Sequence, residues 1–159
     1  MTIHIICVGK LKESYLKDAQ KEYLKRLSRF CTAQVTEVDE EKAPASASPA
    51  QDEKVRQKEA ERIKKATGKN TVTIALALEG RELSSIGFSE QLDNLMLEGK
   101  SDITFIIGGS TGLDASVLKE ADDLFCLSKL TFPHQIARLI LLEQIYRAFK
   151  IRNHETYHK

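Results

Sequence analysis

Residues 108–112 read Gly-Gly-Ser-Thr-Gly, directly after the apolar run 102–107. Glycines at the end of a buried strand let a ligand approach the backbone, whose N–H groups then point at it. The spacing is not G-x-G-x-x-G and no Gly-Lys-Ser/Thr follows, so a dinucleotide fingerprint and a P-loop both fit poorly. It does fit G-x-S-x-G, the turn that exposes a hydrolase nucleophile. Ser110, then Asp122 or Asp123, then His134 occur in the chain order of that class. Against it, the chain is short for that fold and His134 lies close to Ser110 in sequence. The alternative is a glycine turn with an incidental serine. His154-x-x-x-His158 has the spacing of metal ligands on a helix, but no other His or Cys lies near it. Arg138, Arg147 and Lys150, with Tyr146 and Tyr157, offer phosphate contacts and base stacking, though not all from one helix face.

The elements that must position these residues follow from hydrophobic period. Strands are expected over 2–8, 31–38, 70–78, 102–107 and 123–128. Helices are expected over 13–27, 52–66, 85–98, 114–121 and from Pro133 to about Arg152. Asp52 caps the second helix in this reading, Glu79-Gly80-Arg81 turns the chain, and 39–51, rich in Ala, Ser and Pro, is a flexible loop. Strands and helices alternate throughout. This predicts an α/β fold, a mainly parallel sheet with helices on both faces, and one domain over 1–159. Ligands of such sheets bind beyond the carboxyl ends of the strands. Three loops qualify there: after Leu78, after Ile107 and after Leu127.

The last helix carries apolar residues over more than one face, among them Ile136, Leu139, Ile140, Leu142, Ile145, Tyr146 and Phe149. One face packs on the sheet; a second subunit is the simplest cover for the rest. Composition sets outer limits. The chain has 159 residues, 42% apolar and 30% charged, with a net charge of +1. These values suit a soluble globule, with no run long enough to span a membrane and no signal peptide, so a cytoplasmic location is expected. Residues 129–159 hold six basic and two acidic side chains, a basic end suited to a phosphate-rich partner. Cys7, Cys31 and Cys126 are odd in number and lie in apolar segments, which reads as buried free thiols.

Phe105–Leu113, the stretch Leu127-Ser-Lys-Leu-Thr-Phe-Pro-His-Gln135 with Arg138, Glu143-Gln-Ile-Tyr-Arg-Ala148 and the terminal Tyr157-His158-Lys159 closely resemble the RlmH family. The start, Val8-Gly9-Lys10-Leu11-Lys12, resembles it as well. That family comprises SPOUT-class methyltransferases of bacterial large-subunit rRNA. The resemblance implies an α/β knot, in which the C-terminal segment threads a loop to form a trefoil, a topology that the usual connection rules would not suggest. It also implies a homodimer that transfers a methyl group from S-adenosylmethionine to N3 of a pseudouridine in 23S rRNA on the assembled ribosome. No metal is implied.

Carried over by position, the cofactor pocket comprises Leu76, Gly108, Leu127, Ser128, Lys129, Leu130, Thr131 and Phe132, which fall on the three loops above. N3 of pseudouridine is a weak nucleophile until its proton leaves, so a base or anion stabiliser is expected. The candidates are His134, Arg138, Tyr157 and His158, with the tail reaching the partner's pocket and Arg138 holding a phosphate or the deprotonated base. Arg147, Lys150 and Arg152 then form the RNA footprint.

Overall fold

Strand β1 (Thr2–Val8) sends Ile3, Ile5 and Cys7 to one apolar layer and Ile6 and Val8 to another. Side chains alternate along a strand, so a strand apolar on both faces must be covered on both. The computed structural model describes residues 1–159, and in it this is so. β1 is flanked by β2 (Thr32–Val38) and β4 (Asp102–Ile107), followed by β3 (Val72–Glu82) and β5 (Asp123–Cys126). The order is β2-β1-β4-β3-β5 and every pairing is parallel. Helices α1 (Ser14–Leu27), α3 (Ser85–Leu97) and α5 (His134–Arg152) supply one layer, through Leu27, Phe88, Leu92, Leu142 and Ile145. Helices α2 (Pro49–Ala66) and α4 (Ala115–Glu120) supply the other, through Ala60, Ile63 and Val117. His4, on the second face, bonds Thr36 Oγ1 at 2.7 Å as a strand-face residue. No helix is long and apolar enough to cross a membrane.

Four local expectations are corrected. Helix α2 begins at Pro49, ahead of Asp52, because Ser48 and Gln51 form a reciprocal capping box and proline suits the first helical turn. Glu79-Gly80-Arg81 does not end β3. The strand bulges after Leu76 and resumes its pairing with β5 at Arg81. Gly80 makes this possible, since a Cβ there would lie 2.6 Å from the Leu124 backbone. Strand β5 stops at Cys126, freeing Leu127 and Ser128 for the loop. His154 lies beyond α5 with φ +53, so the His154–His158 pair has no helical register.

Helix α5 lies between α1 and α3, and this covers much of its apolar surplus within one chain. Phe30 stacks on Phe149 at 5.6 Å, Tyr23 lies 6.5 Å from Tyr146, and Ser89 donates to the Ala148 carbonyl. Ile136, Ile140 and Ile151 remain half-buried.

All three cysteines are free thiols; Cys7 and Cys126 are buried and Cys31 half-buried. Burial pushes the Cys7 thiol up to about 12, against the opposing pull of Arg138. The thiolate is the reactive form. Cys7 is therefore expected to resist iodoacetamide at pH 8 in the folded protein and to react in denaturant, as peptide mass spectrometry would show.

Candidate active site

The carboxyl ends of β3, β4 and β5 open into one cleft of about 800 Å³. Each wall has a sequence cause. The β3 bulge presents Leu76, Ala77, Leu78 and Glu79 as one side. After β4, the Gly109 carbonyl accepts from the Gly112 N–H at 3.1 Å, closing a tight turn with Ser110 and Thr111 at its tip. Gly112 has φ +83, a region that glycine enters freely. Gly108 is packed still closer: a Cβ there would sit 2.8 Å from the Gly112 carbonyl carbon and 3.0 Å from Leu113 Cγ. After β5, residues 127, 128 and 130–133 form the third side, with Cys126 Sγ donating to the Ser128 carbonyl and the Leu130 N–H donating to Ser128 Oγ.

Seven of the eight residues expected around a cofactor therefore line one cleft: Leu76, Gly108, Leu127, Ser128, Leu130, Thr131 and Phe132. Lys129 does not line it. His134, the first residue of α5, does. The bulged wall was not legible in advance, although Gly80 inside an apolar strand is a bulge signal. A second support went unseen: Arg56 of α2 donates to the Thr111 carbonyl at 3.5 Å.

Arg138 departs from its expected role. It is completely buried. Its guanidinium donates to Glu37 Oε1 at 2.5 Å, to the Gly9 carbonyl at 2.9 Å and to Gln20 at 3.3 Å. It does not line the cleft, and its one unpartnered donor, Nε–H, is buried with the rest of the side chain, out of reach of a phosphate in the cleft. Its place is structural: it ties β2, the turn after β1 and α1 to α5. Two further bonds hold the same turn, Leu11 N–H to Glu37 and Lys12 N–H to Gln135.

The expected RNA footprint is also largely paired. Arg147 bridges Glu143 at 2.6 Å, Lys150 bridges Glu155, and Arg152 bridges Asp93 at 2.8 Å. The basic count of the last helix therefore overstates its free positive charge.

The tail is ordered against α5. Tyr157 Oη donates to Glu143 Oε1 at 3.1 Å, its ring packs edge-on to Tyr146, and the Arg147 guanidinium lies 4.7 Å over it. His158 Nδ1 lies 3.4 Å from Arg147. Burial and the Glu143 charge raise the Tyr157 phenol above its ordinary value, so Tyr157 is a neutral hydroxyl near pH 7. Within one protomer Tyr157 and His158 pack beside Glu143 and Arg147, roughly 14–20 Å along the α5 axis from His134 at 1.5 Å per residue, and neither lines the cleft. One protomer therefore does not bring Tyr157 and His158 to its own cleft.

The hydrolase constellation is not assembled. Asp122 accepts from the Thr73 N–H and hydroxyl, and Asp123 accepts from Arg81 and Gln91, both at the amino end of β5. Neither orients His134, and no hydrogen bond joins His134 to Ser110. The fold and the cleft instead define an α/β protein with a small-ligand site at the carboxyl edge of its sheet.

Residues 1–158 match a family described as predicted SPOUT methyltransferases. A ribosomal RNA large subunit methyltransferase H from Ruminiclostridium cellulolyticum is 58% identical over the whole of both chains. Proteins of the same name from Clostridium kluyveri and Streptococcus equi subsp. zooepidemicus are 52% and 51% identical, again over the whole of both chains. A solved probable methylase family protein from Haemophilus influenzae shares the fold, with a TM-score of 0.56 at 15% identity over 99% of this chain and 70% of that one. The chain therefore belongs to the SPOUT methyltransferase class and, within it, to the RlmH family.

Proposed function

We propose that this protein transfers the methyl group of S-adenosylmethionine to N3 of a pseudouridine in 23S rRNA, acting in the cytoplasm on the assembled ribosome as a homodimer. The observation that carries this reading is the convergence of three loop ends on one cleft. Its volume falls within the usual range for small-ligand sites. Leu76, Leu127 and Phe132 supply apolar walls for an adenine ring, and the main chain of 127–132 supplies donors and acceptors for its edge. The cofactor supplies a methyl group already activated by the sulfonium charge. Gly108 admits the close approach of the loop, and His134 lines the cleft at the start of α5, where a titratable ring can serve the proton transfer.

Three features support the dimer. Leu78 and Leu130 stand exposed at the cleft, Ile136 and Ile140 are half-buried on α5, and the tail is remote from its own cleft. A second copy covers the first four and brings Tyr157 and His158 to the partner's site. The trefoil knot belongs to the same reading: residues after β5 thread the loop that follows β4. Titration calorimetry with S-adenosylmethionine tests the cofactor assignment, with saturable binding expected and silence at millimolar ligand contradicting it.

Deleting residues 157–159 is expected to lower methyl transfer to ribosomes by about 100-fold or more, the usual scale of a lost acid–base or orienting group. Cofactor affinity should be unchanged. Full turnover in the truncated protein would remove the tail from catalysis.

A further inference from the structure

A second cavity, of about 790 Å³, lies on the other side of the glycine turn. Its walls come from the turn after β1 (Gly9, Lys10, Lys12) and from the loop between β2 and α2 (Asp39 to Ala47). It shares Ser110 and Thr111 with the first cleft. The two also converge at Gly9. A Cβ on Gly9 would lie 3.3 Å from His134 Nε2 and 3.7 Å from Glu40 Oε2. Gly9 has φ +85 and no side chain, and the histidine of one cavity and the carboxylate of the other both border the space that a Cβ there would fill.

We infer that this second cavity is the acceptor site, taking a pyrimidine ribonucleotide of the RNA strand, with Lys10, Lys12 and Lys42 on its phosphates and Glu40 accepting a base N–H. The inference rests on the first cleft holding the methyl donor. A group transfer needs two ligands whose reacting atoms meet, and these two cavities meet at Gly9, His134 and the Ser110–Thr111 tip.

The cavity sets Lys10, Lys12 and Lys42 against four carboxylates, Asp39, Glu40, Glu41 and Asp52, and its lysines are free. Lys10, Lys12 and Lys42 are exposed and none has a carboxylate partner, whereas Arg147, Lys150 and Arg152 are all paired. Unpaired lysines are the cations able to neutralise phosphates. Glu40 is likewise exposed and accepts no hydrogen bond within the fold, while its neighbour Glu41 carries both Lys58 and Arg62. A free carboxylate suits an imide N–H, which pyrimidine bases of the uracil type present. The turn bearing Lys10 and Lys12 is rigid before any ligand arrives. Arg138 holds the Gly9 carbonyl, Glu37 accepts from the Leu11 N–H, and Gln135 accepts from the Lys12 N–H. Little ordering is therefore needed on binding.

The test uses the full-length protein and 70S ribosomes from cells lacking this methylation. The triple variant Lys10→Ala, Lys12→Ala, Lys42→Ala is expected to raise KM for ribosomes about tenfold and to flatten the salt dependence by up to about 0.7 log units per lysine. Affinity for S-adenosylmethionine and kcat should hold. Glu40→Gln is expected to lower kcat/KM about tenfold, the scale of a lost charge-assisted hydrogen bond, with an unchanged melting temperature. Wild-type KM and salt slope in the triple variant would overturn the acceptor site while leaving the cofactor reading intact. A wild-type protein that binds no S-adenosylmethionine would overturn both.

Discussion

Gly108→Arg is expected to weaken S-adenosylmethionine binding at least about 100-fold, equivalent to about 2.7 kcal/mol. The cause is local. The first atom of any side chain at this position meets the Gly112 carbonyl carbon at 2.8 Å and its oxygen at 2.9 Å. Both are backbone atoms of a closed turn and cannot rotate away. The turn must open, and the arginine then occupies the space between the β3 bulge and residues 127–132. Calorimetry reads the affinity, and circular dichroism checks that the sheet survives. Retained affinity in a folded variant would show that the cleft is not the cofactor site. Gly68→Arg is the matched control, since a Cβ at Gly68 meets nothing within 4 Å.

Arg138→Met is expected to destabilise the protein by about 3 kcal/mol, the lower part of the range for breaking a buried ion pair from one side. For a domain of this size that lowers the melting temperature by roughly 6–12 °C. The substitution leaves the Gly9 carbonyl without its donor and Glu37 without its countercharge, though Glu37 remains partly exposed. Glu37→Gln in the same chain removes the unmatched charge and should recover part of the loss, as a double-mutant cycle would record. The cleft should still bind cofactor, because Arg138 does not line it. An unchanged melting temperature would mean that the buried network is not holding the turn after β1. Loss of methyl transfer alone, with full stability, would return Arg138 to a direct role in the reaction.

Most of the scaffold was legible because its signals are local. The β-branched runs of β1 and β4, the one-faced stripe of α1 and the alternation of strands and helices each depend on neighbours in sequence. The site loops were legible for the same reason, since a parallel sheet places ligands at its carboxyl ends. What escaped depends on partners far away. The burial of Arg138 requires Glu37, 101 residues distant, and a cationic side chain carries no mark of its own burial. The bulge in β3 needs β5 to pair again beyond it, so Gly80 alone reads as a turn. Two misses were recoverable. Glu143 lies one helical turn before Arg147, an i,i+4 pair that flags the arginine as already matched. Ser48-Pro49 followed by Gln51 is a helix start hidden in a segment whose composition suggests only a loop.

The central claim is methyl transfer from the cofactor cleft to large-subunit RNA. Ribosomes lacking the modification, incubated with the purified protein and S-adenosylmethionine carrying a labelled methyl group, test it most directly. The account predicts label in 23S rRNA, mapped by nuclease digestion and mass spectrometry to N3 of a single pseudouridine, and none with the Gly108→Arg variant. Label at a different atom, in a different RNA, or undiminished in that variant would contradict it.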